Sequence, residues 1–333
     1  MRVEWNIPPL YFEIMDLLKI NSKKELELIK DIWNKELSLI YPISDALMER
    51  NFQNAYVDAS FIVKENEEIA GFIISKIYDN EYHKELYEEI GWVSLIYVVP
   101  KFRNQGIGTL LLNKVESEFI KLNKKTIFIG KDFYNFFPGL PIDLKKNLGW
   151  FEKRGYKRLY NTCDLIKNKD DLIPLRNEKI RYVLGNEISK EQIIQFLDTN
   201  WPGRWTFEAK DYFESGGEGK EYLLGLDGDK IIAFAKIGYP DTPTKLISYS
   251  LTWRDKFDSI GGIGPLGVDK SYRGQGIGHD IVAYATNMLI KYGAGNIIID
   301  WTNLLDFYRK FGFEVWKTYD YLQKNLEGDQ KWN

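Results

Sequence analysis

The chain has 333 residues, a formal net charge of −3, 44% hydrophobic and 28% charged residues. That length suits two domains with sizeable cores, and the balance is that of a globular protein, which excludes a disordered chain. No apolar run nears the roughly 18 residues of a membrane helix, no signal-peptide core follows Met1, and the near-neutral charge supplies no basic surface for nucleic acid.

In chain order, residues 23–39 have helical spacing, and 55–63 and 69–78 read as strands joined by a polar turn. Residues 92–99 form a branched-residue strand. Leu110, Leu111, Val115, Phe119 and Leu122 then share one face of a helix opening at Gly106. A strand at 125–129, a helix at 144–154 and a strand at 156–166 complete the first half. In the second half, a strand at 180–184 and a helix at 190–199 precede a hairpin, 222–226 and 231–237, around Asp227-Gly228-Asp229. A strand at 263–268 leads into a glycine turn, followed by a helix carrying Ile281, Ala285, Met288 and Leu289. A strand at 296–301, a helix at 304–311 and a strand at 314–321 end the pattern. The expected domains are 1–168 and 178–325, with a polar linker at 169–177 around Pro174.

Cys163 is the only cysteine, and His83 and His279 are the only histidines. A disulfide, a cysteine zinc cluster and a multi-histidine metal site are therefore excluded within one chain, so no metal is expected. One thiol fits a reducing cytoplasm. Carboxylates, tyrosines and backbone groups are left to supply most of any catalysis.

The chain repeats itself. Residues 95–108 and 265–278 both end Arg-x-Gln-Gly-Ile-Gly, and the motif arginines are 170 residues apart (273 − 103). A second landmark follows each: Gly149 to Tyr156 resembles Leu305 to Phe313 when Phe151 is set against Tyr308. Two landmarks in one order indicate duplicated domains. Each glycine turn joins a strand to a helix whose first amides have no backbone partner and whose dipole favours an anion. Glycines at 106, 108, 276 and 278 let a phosphate approach, although they would also serve a packed turn with no ligand. Neither turn continues Gly-Lys-Ser/Thr, so a Walker loop is out. Gly262-Ile-Gly-Pro-Leu-Gly267 does not open a helix, so its match to a dinucleotide fingerprint is accidental.

At these residues the sequence resembles the GCN5-related N-acetyltransferase (GNAT) family in tandem. Ile96-Tyr-Val-Val-Pro-Lys-Phe-Arg-Asn-Gln-Gly-Ile-Gly108 carries the family's strand-and-turn signature with Ile for Leu, and Leu266 to Gly278 carries it without the proline. The resemblance implies an α/β fold: two acetyltransferase-like domains, each a central mixed, mostly antiparallel sheet flanked by helices. It implies acetyl-CoA as cosubstrate and a small-molecule primary amine as acceptor. The binding residues would be Leu266, Gly267, Val268, Arg273, Gly274, Gln275, Gly276, Ile277 and Gly278 in the second copy. In the first they would be Ile96, Tyr97, Val98, Arg103, Asn104, Gln105, Gly106, Ile107 and Gly108. Tyr308 matches the family acid that protonates the departing thiolate, which makes the second domain the catalytic one. Phe151 has no proton to give there, leaving Tyr156, Tyr134 or Tyr97 as substitutes in the first. Asp300, Asp255 and Glu208 are candidate bases. Residues 131–141 and Trp201 to Trp205 are candidate cleft linings. Two other functions stay open: a non-catalytic acyl-CoA-binding module, and a tandem aminoacyl transferase using charged tRNA.

Overall fold

The computed structural model describes residues 15–144, 147–168, 171–176, 179–247 and 251–326, without the side chains of Leu251 and Asp255. Part of the expected linker at 169–177, and the candidate base Asp255, lie outside that description.

Branched and aromatic runs become strands and the helical spacings become helices, in two compact units. The described part of unit 1 is 15–80, 84–160 and 320–326; that of unit 2 is 81–83 and 161–319. Unit 1 runs β1 (Met15–Lys19), α1 (Lys23–Leu37), α2 (Asp45–Gln53), β2 (Phe61–Glu65), β3 (Glu68–Ile77), β4 (Ile90–Val98) and α3 (Ile107–Lys121). It continues through β5 (Thr126–Ile129), β6 (Leu140–Pro141), α4 (Asn147–Glu152) and the start of β7 (Lys157–Lys167). Unit 2 takes the rest of β7, then β8 (Arg181–Leu184), α5 (Lys190–Asn200), α6 (Arg204–Glu214), β9 (Tyr222–Asp227) and β10 (Lys230–Gly238). It ends with β11 (Ile260–Val268), α7 (Ile277–Lys291), β12 (Asn296–Thr302), α8 (Leu305–Tyr308) and β13 (Glu314–Asn325), whose last residues return to unit 1.

The strands of the two units follow one plan. In unit 1, β1 to β4 are antiparallel neighbours and β5 runs parallel to β4; the end of β13 then pairs antiparallel with β5, Leu322 opposite Ile129. In unit 2, β8 to β11 are antiparallel neighbours and β12 runs parallel to β11; β7 pairs antiparallel with β12, Lys167 opposite Ile297. In each sheet the strand beyond the parallel pair therefore comes from the other half of the sequence. The contiguous halves 1–168 and 178–325 differ from the compact units at those strands: 161–168 falls in unit 2 and 320–325 in unit 1.

Local chemistry explains most element ends. Ser22 caps α1 by accepting from Glu25 N–H at 3.2 Å, and Ile29, Trp33 and Leu37 form its buried face. On α3, Leu111, Leu112, Val115 and Phe119 are buried, each contributing about 1.5–3 kcal/mol by leaving water. The strand expected at 55–63 begins only at Phe61. Val57–Ala59 is a single 3₁₀ turn, which Ser60 Oγ closes by donating to Tyr56 O at 2.9 Å. Among the described residues no helix is long and apolar enough to cross a membrane, and no group of three His, Cys, Asp or Glu side chains could hold a metal ion.

Candidate functional site

The parallel pairing in each sheet is short. β4 and β5 pair from Ile90 opposite Thr126 to Val93 opposite Ile129, and Gly130 N–H to Val93 O at 2.8 Å is the last link. β11 and β12 pair only from Ile260 opposite Asn296 to Gly262 opposite Ile298. Just beyond, β4 bulges: Val93 faces Ser75 and Leu95 faces Ile74, so Ser94 drops out of the ladder. β11 bulges at the matching place, with Ile263 opposite Ile237 and Leu266 opposite Ala235. In unit 1 β5 ends there, and in unit 2 β12 runs on to Thr302 paired with β7 and no longer with β11, so in each unit the parallel pair parts into a wedge.

Both turns are built alike. Gly106 and Gly276 cap α3 and α7 at φ of 85° and 82°, a left-handed backbone that a side chain would strain by about 1–2 kcal/mol. Arg103 Nε donates to Val98 O at 2.9 Å and Gln105 Nε2 to Lys101 O at 3.3 Å. Arg273 Nε donates to Val268 O at 3.3 Å and Gln275 Nε2 to Ser271 O at 3.5 Å. The arginine and glutamine shared by the two copies thus staple the turn to its own strand and loop, holding the first-turn amides outward. They have a structural reason to be present even before any anion is considered.

In unit 1 the wedge opens into a cavity of about 1160 Å³. All nine residues expected there, Ile96 to Val98 and Arg103 to Gly108, line it. Trp33, Ser94, Phe137, Trp150, Phe151 and Arg154 line it too. Trp150 lies over the turn: a Cβ on Gly108 would stand 3.1 Å from its ring. Arg154 stacks on Trp150 at 3.8 Å and donates to Thr109 Oγ1 at 2.6 Å, tying α4 to the start of α3. Burial holds that guanidinium's pKa below its usual value. Both carboxylate oxygens of Glu36 accept from Arg103 Nη2, at 2.8 and 3.0 Å, and Glu36 also accepts from the Tyr97 hydroxyl. Burial, then that bond to Glu36, push the Tyr97 phenol well above its ordinary pKa.

Of the three tyrosines that could stand in for Phe151, only Tyr97 lines the cavity. Tyr156 is buried against Glu116 at 3.0 Å, and Tyr134 lies under Arg50 at 4.0 Å. Four residues of the 131–141 stretch, Phe137, Gly139, Leu140 and Pro141, line this cavity of unit 1, and Phe137 stacks on Trp33 at 5.7 Å.

In unit 2, Tyr308 is 4% exposed, among Phe307, Phe311 and Phe313. Its hydroxyl has no hydrogen-bond partner among the described residues. Burial, then the nearby Asp300 carboxylate, raise its pKa well above the usual phenol value, so it stays protonated. Asp300 reaches the bulge, where its Oδ1 would lie 3.4 Å from a Cβ on Gly264. Phe307 stands 3.9 Å from the Cβ position of Gly278, as Trp150 stands over Gly108. Trp201 packs on Gly267, and Arg204 lies 4.2 Å over the Trp301 ring. Glu208 is buried and paired with Arg204 at 2.7 Å. His279 is taken up by Asp280 at 3.0 Å, and Cys163 is buried beside Thr318 at 3.5 Å.

Four residues escaped the sequence reading: Ser94, Glu36, Trp150 and Asp164. Asp164 is fully buried, and accepts from Trp253 Nε1 at 2.9 Å, Tyr319 Oη at 2.8 Å and Trp301 N at 3.1 Å. Burial pushes its carboxyl pKa up while those donors oppose the rise. Only Ser94 had a usable signal: it stands three residues before Tyr97 in a strand already expected to flank the ligand.

The acetyltransferase (GNAT) family model matches residues 26–136 and 190–313. Among solved structures, the GCN5-related glucosamine N-acetyltransferase region of a fungal multi-domain GH3 β-N-acetylglucosaminidase is similar at a TM-score of 0.82 and 22% identity, over 93% of this chain. This chain spans 38% of that fungal protein. A GCN5-related N-acetyltransferase from Sphaerobacter thermophilus is similar at a TM-score of 0.66 and 16% identity, over 94% of this chain and 96% of that one. A tandem GNAT protein from the clavulanic acid biosynthesis pathway is similar at 0.67 and 12% identity, over 95% and 100%. At these identities the likeness is one of fold. The sequence has no significant match among curated proteins.

Proposed function

The chain belongs to the GNAT family of acetyltransferases, whose acetyl donor is acetyl-CoA, and from that premise we propose that it acetylates a primary amine of a small molecule, with unit 2 catalytic. Tyr308 is the observation that carries this reading: a buried, neutral phenol follows the glycine turn of unit 2, and Phe151 holds that place in unit 1.

The geometry supports a set of roles. The turn from Arg273 to Gly278 would present its amides to the donor's pyrophosphate. Leu266 to Val268, past the bulge, would run beside the pantetheine arm, and a backbone N–H there would stabilise the developing oxyanion. Asp300, at the bulge, takes a proton from the incoming ammonium, directly or through water, so that the neutral amine can attack. Tyr308 gives its proton to the departing thiolate. The turn from Arg103 to Gly108, with Ile96 to Val98, would hold a second acetyl-CoA in unit 1. The single, buried cysteine suits a reducing compartment such as the cytoplasm.

The fungal region's activity makes glucosamine and other amino sugars the first acceptors to screen. The test is calorimetric titration with acetyl-CoA, then thiol release in the presence of an amine panel. Binding with amine-dependent CoA release is expected. Absence of acetyl-CoA binding overturns the proposal; binding without transfer to any amine leaves a non-catalytic acyl-CoA module instead.

A further inference from the structure

The wedges of the two units differ at the bulge. The 170-residue offset sets Ser94 against Gly264 and Gly130 against Asp300, and the strand registers agree: Ile90 with Thr126 becomes Ile260 with Asn296. Unit 1 thus has a hydroxyl on the bulged strand and, at the position matching Asp300, a glycine where a Cβ would meet Phe137 O at 2.5 Å. Unit 2 has hydrogen on the bulged strand and a carboxylate facing it. In unit 2 the two positions adjoin across the wedge, since Asp300 Oδ1 lies 3.4 Å from where a Gly264 Cβ would stand.

Ser94 is 4% exposed, lines the cavity of about 1160 Å³, and its Oγ has no hydrogen-bond partner among the described residues. A buried hydroxyl without a partner is unfavourable, and native structures normally satisfy one with water or a ligand. Its distance from the turn limits what that ligand is. Four residues separate Ser94 from Val98, a span of about 13 Å along an extended strand. An arm anchored by an anion on the amides of α3 would end beside that hydroxyl after running past Val98 and Ile96.

We propose that Ser94 reads the thioester of an acyl-CoA held in unit 1, its Oγ–H donating to the thioester carbonyl oxygen. This rests on the reading of the unit 1 turn as a CoA site. The site keeps its acyl group. Phe151 offers no proton to a leaving thiolate, and Gly130 places no carboxylate at the position where Asp300 stands in unit 2. Ser94 is therefore a specificity residue, separating acyl-CoA from free CoA by one donor.

The full chain is titrated calorimetrically with acetyl-CoA and, separately, with CoA, which has no carbonyl at that position. The wild type should show two acetyl-CoA sites. Gly108→Trp, which fills the turn of unit 1, should remove one of them. Ser94→Ala should weaken acetyl-CoA at that same site by about three- to tenfold, the worth of one hydrogen bond, and leave CoA there unchanged. Ser94→Thr, which keeps the hydroxyl, should retain the preference for acetyl-CoA. A purely structural role would shift both ligands together and show in the melting temperature. Equal effects on both ligands, or no effect on either, overturn the role of Ser94 while leaving the site standing. A wild-type chain with one acetyl-CoA site, untouched by Gly108→Trp, overturns the reading of unit 1 itself and the Ser94 proposal with it.

Discussion

The indole of Trp201 lies against Gly267 so closely that a Cβ on that glycine would fall 2.4 Å from the ring. Trp201 also meets Phe234 and Trp205, each at 5.3 Å. At the matching place in unit 1, Tyr97 carries its own ring, which stacks on Phe72 at 5.5 Å and meets Trp33 at 5.6 Å. One aromatic ring covers the strand in each unit: in unit 1 the strand carries it, and in unit 2 the end of α5 brings it. Gly267→Ala should cost about 1–3 kcal/mol by overpacking. In a Trp201→Ala background, where the ring is gone, the same substitution should cost nothing measurable. Thermal melts of the four proteins decide it; additive losses would show that the contact is not what excludes a side chain there.

Tyr308→Phe should lower turnover by about 10²-fold or more, the usual worth of a positioned acid, while acetyl-CoA affinity stays nearly intact. The pH profile carries a second check. Burial and Asp300 raise this phenol above its ordinary 10.0, so it remains a proton donor throughout the neutral and mildly alkaline range. Turnover should rise with pH as the ammonium and its base lose protons, with no falling limb before about pH 10. A limb that falls below pH 10 in the wild type and vanishes in Tyr308→Phe would contradict the raised pKa. The stability consequence has a definite sign. The folded pKa lies above the unfolded one, so the contribution of the neutral phenol is fully present below pH 10 and is lost as pH rises through the folded pKa. Tyr308→Phe should therefore lessen alkaline unfolding.

Repetition made the strand-turn-helix core legible. The offset between Arg103 and Arg273 marks both turns, and the structure places all nine expected residues of the first copy on one cavity. Helix α6 was not legible because its buried side includes Thr206, Glu208 and Tyr212, polar types that break the apolar period. The exchange of β7 and β13 was invisible for another reason. A strand's pattern states that it is buried, and both halves offer an equivalent empty edge beside their parallel pair. Glu36 was hidden because it belongs to no motif, and Ser94, although on a strand expected to flank the ligand, stands outside the motif itself. Their importance comes from a bulge and from a helix packed over the sheet, and both are tertiary facts.

The pair formed by Arg103 and Glu36 gives a prediction whose sign decides between two roles. Both Glu36 oxygens accept from Arg103 Nη2, at 2.8 and 3.0 Å, whereas Arg273 in unit 2 has only its bond to Val268 O at 3.3 Å among the described residues. The unit 1 turn is therefore electrically neutralised before any anion arrives, and the unit 2 turn is not. The pair is partly exposed, at 43% and 35%, so its Coulombic strength is modest and sensitive to salt. Glu36→Ala releases a positive charge beside the amides of α3. CoA affinity at the unit 1 site should then rise about two- to fivefold at low ionic strength, with the gain shrinking as salt is added. Calorimetry at two salt concentrations measures it. The opposite sign, weaker CoA binding in Glu36→Ala, would mean that Glu36 works by aiming Arg103 at the anion, and the asymmetry between the two turns would then lie in orientation and not in charge.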